Sequence, residues 1–104
     1  MSKSSITTDP ELLPNPTPGE ILLKFLRPLG LSQTALAGAL RVPPRRINEI
    51  VLGKRAITAG ADLRLTHYFG LTPGFFLGLH ADHDLMARRR QLGAELDLIK
   101  PRAA

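Results

Sequence analysis

Two stretches of this 104-residue chain hold side chains that could do chemistry. The first runs from Arg41 to Arg55, where Arg41, Arg45, Arg46, Lys54 and Arg55 are opposed only by Glu49. Guanidinium forks match planar acceptors such as phosphate oxygens and guanine edges, and the amide of Asn48 matches an adenine edge. Cationic charge gathered this tightly, in a chain whose net charge is +5, is the footprint of a polyanion-binding face. The second stretch is His80-Ala81-Asp82-His83-Asp84. His80, His83 and Asp84 fall at i, i+3 and i+4, on one face of a helix, a spacing that could ligate a metal. The simpler reading is a solvated surface with a local histidine–aspartate ion pair, and no metal is expected.

Other chemistries find no residues to support them. The chain has no cysteine, which removes disulfides, thiolate zinc sites and a cysteine nucleophile together. No glycine-rich phosphate loop is present, no serine lies beside a histidine, and Glu11, Glu20 and Glu95 are isolated. His67-Tyr68-Phe69 reads as the edge of a core. Neither an enzyme nor a cofactor is therefore expected. No apolar run approaches the roughly 18 residues a membrane span needs, and the first residues lack the apolar stretch of a secretory signal. The cytoplasm is the expected compartment, with no membrane partner.

The elements that position the basic run are helices. Residues 1 to 17 hold few apolar residues and include Asp9-Pro10 and Pro14-Asn15-Pro16-Thr17-Pro18, so they are read as a flexible arm. From Gly19 the apolar period is helical. A first helix carries Ile21, Leu22, Phe25 and Leu29 and stops at Gly30; a second, capped by Ser32, carries Leu36, Ala37 and Leu40. Pro43-Pro44 opens a third with Ile47, Ile50 and Val51 inside, ended by Gly53. Thr58 caps a fourth with Leu63, Leu65 and Phe69, closed by Gly70. Thr72-Pro73 is expected to open a fifth, with Phe75, Phe76, Leu79 and Met86 as its stripe and Arg88-Arg89-Arg90 in its last turns. After Gly93 the chain is expected to fray. No segment alternates with period two. The fold class is all-α, five helices, with an arm over 1–17, a DNA-binding domain over 18–92 and a tail over 93–104.

The second and third helices are separated only by Arg41-Val42-Pro43, so they must cross steeply and project one of them outward. Ala37 is small enough to let them touch, Val42 plugs the turn, and Ile47 fills the space beneath. Arg45, Arg46, Asn48 and Glu49 are left outside. The string Gln33-x-x-Leu36-Ala37, Val42-Pro43, Ile47-Asn48-x-Ile50, Gly53-Lys54-Arg55 resembles the Xre/lambda-repressor-like helix-turn-helix family. Pro18-Gly19-Glu20-Ile21-Leu22, Leu29-Gly30-Leu31-Ser32-Gln33, Pro43 to Val51 and Gly53 to Thr58 are similar to its HigA branch, the antitoxins of type II toxin–antitoxin pairs.

That resemblance covers residues 18 to about 92. It implies that Gln33, with Thr34 beside it, meets a backbone phosphate and braces the reading helix. Pro44, Arg45, Arg46 and Asn48 take the groove-facing places, and Lys54 and Arg55 the phosphate-binding loop. One departure stands out. Arg41 occupies a turn position that is commonly glycine in the broader family, where a left-handed backbone costs another residue roughly 1 kcal/mol.

Two copies reading a palindrome about 34–36 Å apart make a homodimer the expected state on double-stranded DNA. Phe75, Phe76, Leu79, His83 and Met86 are the expected interface. The resemblance also implies a small basic toxin of the HigB type, an mRNA-cleaving ribonuclease, as partner. The chain is itself basic, so that contact would fall on acidic and apolar surfaces: the arm with Asp9, Glu11, Leu12, Leu13 and Glu20, or the outer faces of the first and fifth helices with Glu20, Asp82 and Asp84. A free-standing repressor without a toxin, and a phage- or plasmid-type regulator, share the same fold and stay open at this point.

Overall fold

The caps legible in the sequence set most of the helix boundaries. In the computed structural model, which describes residues 14–102, five α-helices follow one another: α1 Pro18–Leu29, α2 Gln33–Leu40, α3 Pro44–Val51, α4 Ala59–Phe69 and α5 Phe75–Leu98. There is no strand among the described residues. Thr17 begins α1 with a reciprocal capping box: its hydroxyl accepts from the Glu20 amide, and the Glu20 carboxylate accepts from the Thr17 amide. Ser32 and Thr58 cap α2 and α4 through the amides of Ala35 and Ala61. Gly30 and Gly70 close α1 and α4 in the left-handed conformation.

The core is made where one face of each helix converges. Leu22 and Leu26 of α1, Leu36, Ala37 and Leu40 of α2, Ile47 and Ile50 of α3, Leu65 of α4, Phe76 of α5 and Ile57 in the α3–α4 loop form one buried cluster. On α1 the buried stripe passes through Leu22 and Leu26, while Leu29, expected inside, is exposed. Leu63 on α4 is likewise exposed, because α4 turns Asp62, Leu65 and Thr66 inward instead. Phe25 sits at the centre of an aromatic group, 5.3 Å from Phe69, 6.0 Å from Phe75 and 5.8 Å from Phe76 between ring centroids.

Gly19 sets how closely α1 approaches α3. A β-carbon there would lie 2.3 Å from the Ile50 carbonyl oxygen and 2.8 Å from Val51 Cα. Only glycine permits this contact, since the obstacle is backbone that cannot rotate away.

Two expectations for α5 are corrected. Its first helical residue is Phe75, preceded by Gly74 at φ 96°, rather than Thr72-Pro73 acting as cap and first residue. The cap comes from elsewhere in the chain. Asp62, buried in α4, accepts from the amides of Gly74 at 2.6 Å, Phe76 at 2.8 Å and Leu77 at 3.0 Å. The far end does not fray at Gly93; α5 runs on to Leu98, so Arg88-Arg89-Arg90 lie within the helix rather than in its last turns. Thirteen of the seventeen arm residues, Asp9, Glu11, Leu12 and Leu13 among them, lie outside the described residues. Asn15 lies within them and donates to the His83 carbonyl at 3.0 Å.

Candidate nucleic-acid interface

The crossing of α2 and α3 is built as its residues require. Ala37 is fully buried at the contact, and its carbonyl accepts from the Val42 amide at 3.0 Å, which folds the turn under α2. Arg41 ends α2 at φ 62°, the only non-glycine residue with positive φ among those described. The adjoining Leu40 carbonyl is met by the Arg64 guanidinium from α4 at 2.6 Å. That charged donor satisfies an acceptor the helix end would otherwise leave unpaired. Sequence reading gave Arg64 no role.

Ile47 and Ile50 anchor α3 inward, so Pro44, Arg45, Arg46 and Asn48 are exposed on its outer side. Asn48 donates through Nδ2 to the Gln33 side-chain oxygen at 3.4 Å, which ties the start of α2 to the reading helix. Thr34 is exposed beside Gln33. Lys54 and Arg55 follow α3 in the loop, where the Lys54 amide donates to the Glu49 carbonyl at 2.8 Å and Gly53 adopts φ 75°. The Glu49 carboxylate binds an arginine on each oxygen: Arg55 Nε at 2.8 Å and Arg45 Nε at 3.3 Å. The hydrogen bond from Arg55 is the main reason this carboxyl is held below its usual pKa. The structure thus joins Gln33 to Asn48, and Arg45 to Arg55 through Glu49. Pro44, Arg46 and Lys54 are exposed nearby.

The expected interface set on α5 divides. Phe76 is wholly buried in the core of its own chain, because the Asp62 clamp pulls the first turn of α5 inward; it offers no surface to a second copy. Phe75 is 38% exposed, and Leu79, His83 and Met86 are half-buried. Exposed apolar side chains continue further along the helix at Leu85, Leu96 and Leu98, and at Ile99 just past its end. His80 pairs with Asp84 at 3.3 Å. His83 Nδ1 is buried without a hydrogen-bond partner. Among the described residues no group of three or more His, Cys, Asp or Glu converges as metal ligands would.

A model of the helix-turn-helix family matches residues 22–76, the stretch from the core of α1 to the start of α5. Antitoxin HigA-1 of Vibrio cholerae serotype O1 is 32% identical over 84 residues, 80% of this chain and 79% of that protein. The chain belongs to the helix-turn-helix family, in its HigA branch. The HigA likeness extends to structure: Pseudomonas aeruginosa antitoxin HigA, solved with the higBA promoter, superposes with a TM-score of 0.79 at 33% identity, covering 86% of this chain and 100% of that one. Virulence-associated protein I of Dichelobacter nodosus is 48% identical over 82 residues, 78% of this chain and 76% of that protein. The helix-turn-helix match contains every residue from Gln33 to Arg55 described above.

Proposed function

We propose that this chain is a sequence-specific DNA-binding antitoxin that represses its own operon as a dimer and neutralises an mRNA-cleaving toxin. The observation that carries the reading is the exposed set Arg45, Arg46 and Asn48, held outward by buried Ile47 and Ile50 next to the basic loop of Lys54 and Arg55. Guanidinium and amide groups on the outer face of a short helix suit base edges in a major groove, and the loop cations suit the flanking phosphates. Similarity to an antitoxin solved with promoter DNA supports the same conclusion.

The role is binding rather than catalysis, and its place is the cytoplasm, where the operator and the messenger RNA are. No helix among the described residues is long and apolar enough to cross a membrane. For the basic toxin, the exposed acids Glu20 on α1 and Asp82 and Asp84 on α5 are the surface we propose, with Asp84 lining one pocket with Lys54 and Arg55. The test is co-expression with the adjacent reading frame: growth rescue and co-purification of the two chains are expected. An adjacent frame that is harmless alone, or none at all, would leave a free-standing repressor.

A further inference from the structure

The reading face carries one acid. Glu49 sits between Arg45, four residues earlier on α3, and Arg55 in the following loop. Each carboxylate oxygen takes one arginine Nε, and the three side chains differ in exposure: 23% for Glu49, 46% for Arg55 and 87% for Arg45. With Nε engaged, the terminal nitrogens of both guanidinium groups stay available and their planes are turned by the acid. One carboxylate against two guanidinium groups also leaves the trio with a single net positive charge.

We propose that Glu49 is a specificity-determining residue: without itself touching DNA, it orients Arg45 and Arg55 and lowers their attraction for non-operator phosphates. This rests on the DNA-binding reading above. The argument is electrostatic. Affinity for arbitrary DNA comes from phosphate neutralisation and counterion release, so each uncompensated cation on the face strengthens it regardless of sequence. Operator affinity depends in addition on a guanidinium fork reaching its acceptors in the right plane, which a mobile side chain must be ordered to do. A carboxylate shared between the two arginines weakens the first contribution and favours the second. Removing it should shift both in the direction that erodes discrimination.

The experiment compares wild type, Glu49→Gln and Glu49→Asp on two duplexes of equal length: the DNA immediately upstream of the first reading frame of the chain's operon, and a scrambled version. Binding is titrated across a salt series. For Glu49→Gln we expect tighter binding to scrambled DNA, a steeper salt slope, and about a tenfold fall in the ratio of upstream to scrambled affinity. Glu49→Asp keeps the charge but withdraws the carboxylate from both arginines; it should keep the wild-type salt slope while the ratio still falls. Melting curves close to wild type show that both variants fold. A wild-type ratio in both variants, or a proportional rise on both duplexes, overturns the proposal. Wild type that does not distinguish the duplexes overturns the DNA-binding reading instead.

Discussion

Arg45, Arg46, Lys54 and Arg55 lie within a few residues of one another, yet their consequences for binding should separate. Truncating Arg45 or Arg46 to alanine is expected to lower operator affinity by about 1–3 kcal/mol and to relax selectivity, as loss of a base contact does. Truncating Lys54 should weaken binding to all sequences alike and reduce the salt slope by about one. Wild-type affinity and selectivity in the two α3 variants would show that the reading head lies elsewhere. Arg41 makes a different kind of test. Its left-handed backbone carries roughly 1 kcal/mol of strain that glycine would relieve, part of which glycine returns through a freer unfolded chain. Arg41→Gly is therefore expected to raise the melting temperature by a few degrees, and a fall would mean that the arginine side chain itself supports the fold. Asp62 should tolerate least. Its carboxylate serves three amides of the α4–α5 junction from a buried position, so Asp62→Ala strands three donors and is expected to cost about 3 kcal/mol or more by thermal or urea unfolding.

Between helices, the tightest tolerance is at Gly19. Gly19→Ala would drive a methyl group into the backbone of Ile50 and Val51, and a loss of about 1–3 kcal/mol is expected as α1 moves off α3. An unchanged melting curve would mean that α1 shifts freely. The capping box at the head of α1 has a pH signature. The Thr17 amide holds the Glu20 carboxyl below its ordinary value of 4.5, so its contribution is complete above that pH and is lost as pH falls through the lowered value. The stability gap between wild type and Glu20→Gln should narrow as pH falls below 4.5; a gap that does not change with pH would assign it to something other than the charge. The box at Thr17 was missed, whereas the starts of α2, α3 and α4 were readable because Ser32 and Thr58 cap amides three residues on and Pro44 suits the first helical position. The start of α5 was not, because its cap is Asp62, twelve residues before Gly74. A sequence clue existed: Asp62 falls on the same helical stripe as Leu65 and Phe69, where an unpaired acid has no reason to be. The extent of α5 was misread for a similar reason, since Gly93 is a weak breaker inside a helix whose length reflects its whole sequence. At the candidate site, the outward residues of α3 followed from periodicity. The carboxylate joining Arg45 to Arg55 depends on a loop's path, which periodicity does not encode.

At the scale of the whole molecule, α5 is the element that a single copy uses least completely. Its first turn is fixed to the core through Phe76 and Asp62, whereas Leu85 and Leu96 are exposed along its later turns and Ile99 just beyond its end. We propose that these apolar side chains form part of an association surface. Leu85→Glu and Leu96→Glu are expected to shift the protein toward monomer in sedimentation at micromolar concentration and to weaken binding to a two-half-site operator. A wild-type protein that stays monomeric at every concentration would remove α5 from this role. The clamp at Asp62 has a further consequence. Because the base of α5 cannot swivel against the reading unit, the helix acts as a measuring rod of 24 residues, about 36 Å at 1.5 Å per residue. In the proposed pairing of two copies through α5, its tip would set the phase of two reading heads on the double helix. One alanine inserted after Ala87 would turn everything beyond it by about 100° without altering a single DNA-facing residue. Such a variant should still hold an isolated half-site and lose the paired one, a failure of angular alignment rather than of contact chemistry.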